Sequence, residues 1–317
     1  MGEIVQVINA IAPLFVIIFV GVAVQKIKHV GDEWLTVLNG FALNIGLPAL
    51  IFSALSKAPF SFDEQASLIL LNSAFIVGCF IAAVIVGKML KLNKQMFRTL
   101  FICLFFGNIS YLGIPILTQV LGEGINQTAV LIVAIYLFWL STVGIGYLDY
   151  SDEKDKTMVV KNALKNLAKN QLLIAVVLGI IVGSLHVVVH PILKQSLDML
   201  TASVTPVVLI VIGIFVGRSS FGKLKEWYPV ILFAITTLLL LPACFYFGLR
   251  SFGFSPELFP SSILEAAMPL AITPFALADK YDLNKTFIAR SIVLSTIFSI
   301  LSIPLWVYIL GIRVVGV

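Results

Sequence analysis

Read for its hydrophobic and polar positions, the chain is a succession of long apolar runs separated by short polar connectors. A helix needs about 20 apolar residues to cross a hydrocarbon core roughly 30 Å thick. Ten runs approach that length, at residues 5–25, 34–56, 66–87, 99–121, 127–148, 170–189, 196–217, 228–249, 260–278 and 287–311. None alternates with the period of two that marks an outer-membrane strand. The pattern predicts an all-α integral membrane protein with ten transmembrane helices.

The connectors predict its orientation. Seventeen of the 21 Lys and Arg residues fall in the odd-numbered connectors. They are Lys26 and Lys28; Lys88, Lys91, Lys94 and Arg98; Lys154, Lys156, Lys161, Lys165 and Lys169; Arg218, Lys223 and Lys225; and Lys280, Lys285 and Arg290. The other side has only Lys57, Lys194, Arg250 and Arg313. Basic connectors stay on the cytoplasmic side. The odd connectors are therefore predicted cytoplasmic and both termini outside, across a cell (inner) membrane. One span more or fewer would scramble this asymmetry, which supports the number ten. The longest connector, 150–169, reads as a mixed-charge cytoplasmic linker between two units, 1–149 and 170–317, of five spans each.

Composition narrows the class. The chain is 60% hydrophobic and 12% charged, with a mean hydropathy of +1.06. A soluble domain carries about 25% charged residues. So few polar groups cannot cover a soluble surface. The net charge of +5 is scattered among connectors rather than gathered in one patch, which argues against a nucleic-acid partner. Cys79, Cys103 and Cys244 lie in apolar runs without disulfide or metal spacing, and His29, His186 and His190 have no metal-like partner. The first residues have no basic region of the kind a cleaved signal needs, and Gln6 stands where a myristoylation motif needs Ser or Thr. There is no Walker loop and no catalytic Ser/His/Asp arrangement, so neither an enzyme nor a cofactor is expected.

The two halves repeat. Spans 2 to 5 start about 160 residues before spans 7 to 10; Pro48 precedes Pro206 by 158 residues, and Pro115 precedes Pro274 by 159. Each half has an odd number of spans, so the halves must run through the membrane in opposite directions. That is an inverted repeat, a recurrent plan in secondary transporters.

Spans 4 and 9 carry the chemistry. Span 4 reads FFGNISYLGIPILTQVLG over 105–122, and span 9 reads EAAMPLAITPFALA over 265–278. Proline removes an N–H and clashes with the preceding turn, so both helices should open. Open backbone is tolerated at membrane depth only where it lines a cavity or meets protein. Half-helix N-termini there favour anions, and freed carbonyls favour cations. The candidate binding residues are Asn44, Asn108, Ser110, Tyr111, Gly113, Pro115, Met268, Pro269, Thr273 and Pro274. Glu265 is the one deep carboxylate and has two readings, a binder of coupling H⁺ or Na⁺ or a cap on a half-helix. Arg290 and Asp198 are placed within a turn of a span end. Gly179-Ile-Ile-Val-Gly183 and Gly213-Ile-Phe-Val-Gly217 predict close helix packing, within the chain or in a homodimer.

Three of these stretches, in chain order, resemble the auxin efflux carrier family: Asn44-Ile-Gly-Leu-Pro-Ala-Leu-Ile-Phe, Gly107-Asn108 through Gly113-Ile-Pro115, and Glu265-Ala-Ala-Met-Pro269. That family includes plant PIN auxin exporters and bacterial carriers for malate or malonate. The resemblance covers essentially the whole chain. It implies ten helices with helices 4 and 9 crossing where they unwind, similar to bile-acid sodium symporters and sodium/proton antiporters. It also implies an elevator-like movement against a scaffold of helices 1, 2, 6 and 7, with Asn108, Pro115 and Pro274 at the crossover. Ser110 stands where the family usually has glycine, and the short central connector resembles the bacterial members. The function implied is secondary transport of a small organic anion, a carboxylate. Two other readings stay open: sodium/proton exchange, although these spans lack a pair of adjacent acidic residues, and a membrane sensor that binds a ligand without moving it.

Overall fold

The computed structural model describes residues 2–27, 30–57, 60–152, 156–219, 224–255 and 259–314; Lys28, His29, Lys154 and Lys223 lie outside them. The described residues form helices and turns, with no strand among them. In chain order the helices are α1 (Gly2–Val24), α2 (Glu33–Leu55), α3 (Phe62–Met89), α4 (Lys94–Cys103), α5 (Ile109–Leu121), α6 (Glu123–Tyr150), α7 (Lys156–Lys169), α8 (Gln171–Ser184), α9 (Pro191–Arg218), α10 (Tyr228–Ser251), α11 (Pro260–Ala266), α12 (Thr273–Leu277) and α13 (Lys285–Ile309). Seven of them, α1, α2, α3, α6, α9, α10 and α13, are long and apolar enough to cross a membrane. Helices α7 and α8 meet at a 60° bend and together make an eighth candidate. The expected runs at 99–121 and 260–278 are interrupted, as α4 with α5 and α11 with α12.

Local chemistry accounts for several of these boundaries. Asn93, Asn170 and Asn284 begin α4, α8 and α13, and each side chain accepts from a backbone N–H two or three residues on. Such a cap contributes about 1 kcal/mol. Pro48, Pro115 and Pro242 share a different device. Each is the second residue after a five-residue π-turn, at Ala42–Gly46, Ile109–Gly113 and Thr236–Leu240. A proline ring collides with the carbonyl four residues back. That carbonyl belongs to Asn44, Tyr111 and Leu238, the third residue of its π-turn in every case. The wider turn absorbs the collision without ending the helix. Pro206, by contrast, lies inside an uninterrupted α9. Pro48 and Pro206, expected to be equivalent, therefore differ locally, whereas Pro115 and Pro274 are each the second residue of an α-helical stretch, Ile114–Leu121 and Thr273–Leu277.

Helices α1, α2, α8 and α9 pack together as one group, with α1 running along α9. Their glycines are used inside the chain. A Cβ on Gly21 would lie 2.6 Å from the Ile210 carbonyl oxygen, and one on Gly179 would lie 2.8 Å from the Leu55 side chain. Gly213 meets the backbone of Ile18 and Gly21 as closely. The remaining long helices gather around the interrupted segments: α3 on α4 and α6, α10 on α13, and α11 against α6, α10 and α13. Arg290, in the second turn of α13, reaches Glu226 at 2.6 Å, and Arg98 in α4 donates to the Tyr281 carbonyl at 3.3 Å. Asp198 is exposed.

Candidate functional site

The interruptions at 104–108 and 267–272 lie against each other. Gly107 and Leu270 form an antiparallel bridge. The Asn108 N–H donates to the Pro269 carbonyl at 2.6 Å, and the Ala271 N–H donates to the Phe106 carbonyl at 3.2 Å. From α13, the Ser295 hydroxyl accepts from the Leu270 N–H at 3.0 Å. A buried backbone group left without a partner costs about 1–3 kcal/mol. Opening two helices at depth is therefore tolerable because each supplies the partners the other has lost. Gly107 makes the approach possible, since a Cβ there would press on the Met268 carbonyl oxygen at 3.2 Å. Met268 and Pro269 are buried in this crossing.

Beyond the crossing the chain re-enters helix twice, at Ile109 and at Thr273. The first N–H groups of a helix have no partner within it and carry partial positive charge. A cavity of about 110 Å³ lies in front of them. Asn108, Ser110 and Tyr111 line it from α5, Thr273 from α12, Asn39 and Leu43 from α2, and Leu172 from α8. Among the described residues no charged side chain lines it. The Tyr111 hydroxyl donates to the Asn39 side-chain carbonyl, which ties the α5 turn to α2. Asn108 is 4% exposed, and its side-chain amide makes no hydrogen bond to any other described residue. At about 30 Å³ per water, the space of about 110 Å³ holds roughly four waters or one small solute.

Glu265 lies outside the cavity lining. It is the penultimate residue of α11, 1% exposed, and neither carboxylate oxygen has a hydrogen-bond partner. A Cβ at Gly113 would collide with this carboxylate. The Tyr136 hydroxyl of α6 is likewise buried and without a partner. Because Glu265 stands at the C-terminal end of its helix and accepts no N–H, the capping reading is set aside.

Of the residues singled out in the sequence, Asn108, Ser110, Tyr111 and Thr273 thus converge on one cavity. Pro115 and Pro274 are buried and do not line it, and Gly113 faces Glu265 instead. Asn44 is exposed and outside the lining; Asn39, five residues earlier, holds the place expected of it. Asn39 and Leu43 are four apart on one face of α2, so a choice of helix face would have found Asn39.

Comparison with known proteins bears on the class. Residues 6–307 match the family described as membrane transport protein. An uncharacterized transporter of Methanocaldococcus jannaschii is 25% identical over 302 residues, covering 94% of this chain and 96% of that protein. A Rhizobium meliloti protein named "Putative malonate transporter" is 23% identical over 314 residues, covering 96% of each chain. An uncharacterized transporter of Methanothermobacter thermautotrophicus is 24% identical over 314 residues, covering 95% of this chain and 98% of that protein. With nearly its whole length matched, the chain belongs to the membrane transport proteins of the auxin efflux carrier family.

Proposed function

We propose that this protein is a secondary carrier of small organic anions, with carboxylates as its substrate class. One observation carries the reading: the first turn of α5, at Ile109, Ser110 and Tyr111, lines a single cavity at the crossing together with Asn108 and Thr273. Backbone N–H groups with the helix dipole behind them bind an anion without a fixed positive charge. The 110 Å³ of space suits a solute of a few heavy atoms and lies well below the roughly 300–1,000 Å³ of a drug-sized site. Malonate, named for one relative, is a three-carbon dicarboxylate of suitable size.

The architecture we assign to this activity has ten crossings. The seven continuous spans are joined by α8 and by the two broken segments, α4 with α5 and α11 with α12. Ten crossings in two inverted halves agree with the distribution of basic residues, which directs both termini outward and the 149–169 connector to the cytoplasm of the inner membrane. The cavity lies between the crossing and helices α2 and α8 of the group built with α1 and α9. Sliding the crossing along that group would expose the cavity to each side in turn. In proteoliposomes, wild-type protein is expected to exchange labelled malonate in counterflow, and Asn108→Ala to reduce the rate at least tenfold. Unimpaired counterflow by Asn108→Ala would remove this site from the mechanism.

A further inference from the structure

We propose that Glu265 is a proton-binding site linked to the anion cavity through the turn Ile109–Gly113, so that proton and anion cross the membrane together. The inference rests on the carrier reading above. Its starting point is a carboxyl group 1% exposed, with neither oxygen hydrogen-bonded, pressed against the backbone of Gly113. Intramembrane carboxylates without partners are costly and rarely idle.

The groups around it do not neutralise it. Helix α6 presents Tyr136, with Cys79 of α3 behind it, and the α5 turn holds Tyr111, whose hydroxyl is given to Asn39. Helix α10 carries Tyr246 with Arg250 over its ring, and the Arg290 of α13 is paired with Glu226. Among the described residues no cation pairs with the carboxylate, and the C-terminal end of α11 adds partial negative charge beside it. A metal ion is also a poor fit. Hard cations take six or more oxygen ligands, whereas no polar atom lies within hydrogen-bonding geometry of either Glu265 oxygen. A proton needs only one oxygen.

The link to the anion is geometric. The turn 109–113 presents its first N–H groups to the cavity and its last residue to Glu265. Four helical steps at about 1.5 Å each separate the two ends of this turn by about 6 Å, one end at the cavity and the other at the carboxyl group. Two negative charges at that separation, away from water, repel strongly. A bound anion therefore favours the neutral carboxylic acid, and by reciprocity the neutral acid favours the anion. An O–H bond forms at Glu265 with a proton from water on the side where the site is open. It breaks to water on the other side after the anion has left, and no redox partner is required. The sign of the coupling makes this symport rather than exchange.

The test uses the full-length protein with malonate, succinate and malate as probes. Over a pH range in which these anions are fully ionised, wild-type protein is expected to take up protons when the anion binds. Its anion affinity should fall about tenfold per pH unit on the alkaline side. Glu265→Gln, neutral and nearly isosteric, should bind the anion with no pH dependence and no proton uptake. In proteoliposomes it should retain counterflow but lose accumulation driven by a pH gradient. The wild-type proton-uptake measurement stands even if the variant does not fold. Counterflow without proton uptake in wild type, or gradient-driven accumulation by Glu265→Gln, overturns the coupling and leaves the carrier intact. Absence of counterflow with all three probes in wild type overturns the carrier reading and the coupling with it.

Discussion

Gly113 shows how closely single atoms are fitted at the crossing. Its missing Cβ is the space that the Glu265 carboxylate occupies. Gly113→Ala is therefore expected to destabilise the protein by about 1–3 kcal/mol, the usual cost of overpacking a filled interior. A thermal melt in detergent measures it. The same alanine placed in a Glu265→Ala background should cost much less, because the colliding atoms are gone, and residues in contact are not additive. Equal costs in the two backgrounds would show that the contact does not govern the position. The sequence made Gly113 conspicuous as a glycine beside a proline, but not the identity of its neighbour, because Glu265 is 152 residues away. Polar residues next to helix breakers, such as Asn108 and Ser110, were legible for the same local reason. Asn39 was not. Nothing beside it breaks the helix, and its place at the cavity depends on which face α2 turns to α5.

At the level of elements, prolines mark the broken segments, but only the second break contains one. The chain leaves helix at 104–108, well before Pro115, and at 267–272, where Pro269 falls inside the break and Pro274 after it. Those stretches are held open by the backbone pairing between them, a contact invisible to any local reading. The proline at 115 instead sets the π-turn that aims the first N–H groups of α5. Pro115→Ala restores a backbone donor and removes the clash, so the turn can relax toward an ordinary α-turn. The expected result is a tenfold or greater loss of malonate counterflow with the protein still folded. Pro242 follows an identical π-turn in α10, away from the cavity, and supplies the control. Pro242→Ala should leave counterflow within about twofold of wild type. Equal losses in the two variants would mean that the π-turns serve stability alone.

At the scale of the whole molecule, hydrophobic periodicity was enough to identify helices in a membrane, because the apolar runs are long and their connectors carry the charge. What it could not reveal is the division of the packing into a group built from α1, α2, α8 and α9 and a second group around the crossing. Helices adjacent in that division are far apart in sequence, as α1 and α9 are. The cavity lies on the boundary between the two, lined by Leu43 from one and Ser110 from the other. If transport requires the two groups to slide, a covalent tie across this boundary must stop it while leaving each group intact. Leu43→Cys with Ser110→Cys, in a background with Cys79, Cys103 and Cys244 replaced, supplies such a tie when bridged by a short bifunctional thiol reagent. Counterflow should be lost on bridging with a reductively cleavable reagent and return on reduction, and the loss should exceed that of either single-cysteine variant treated in the same way. The single variants separate arrest from simple blockage, because one modified cysteine fills the cavity without joining its walls. Persistent counterflow in the bridged protein would mean that the anion crosses without movement at this boundary, and the sliding mechanism would have to be abandoned.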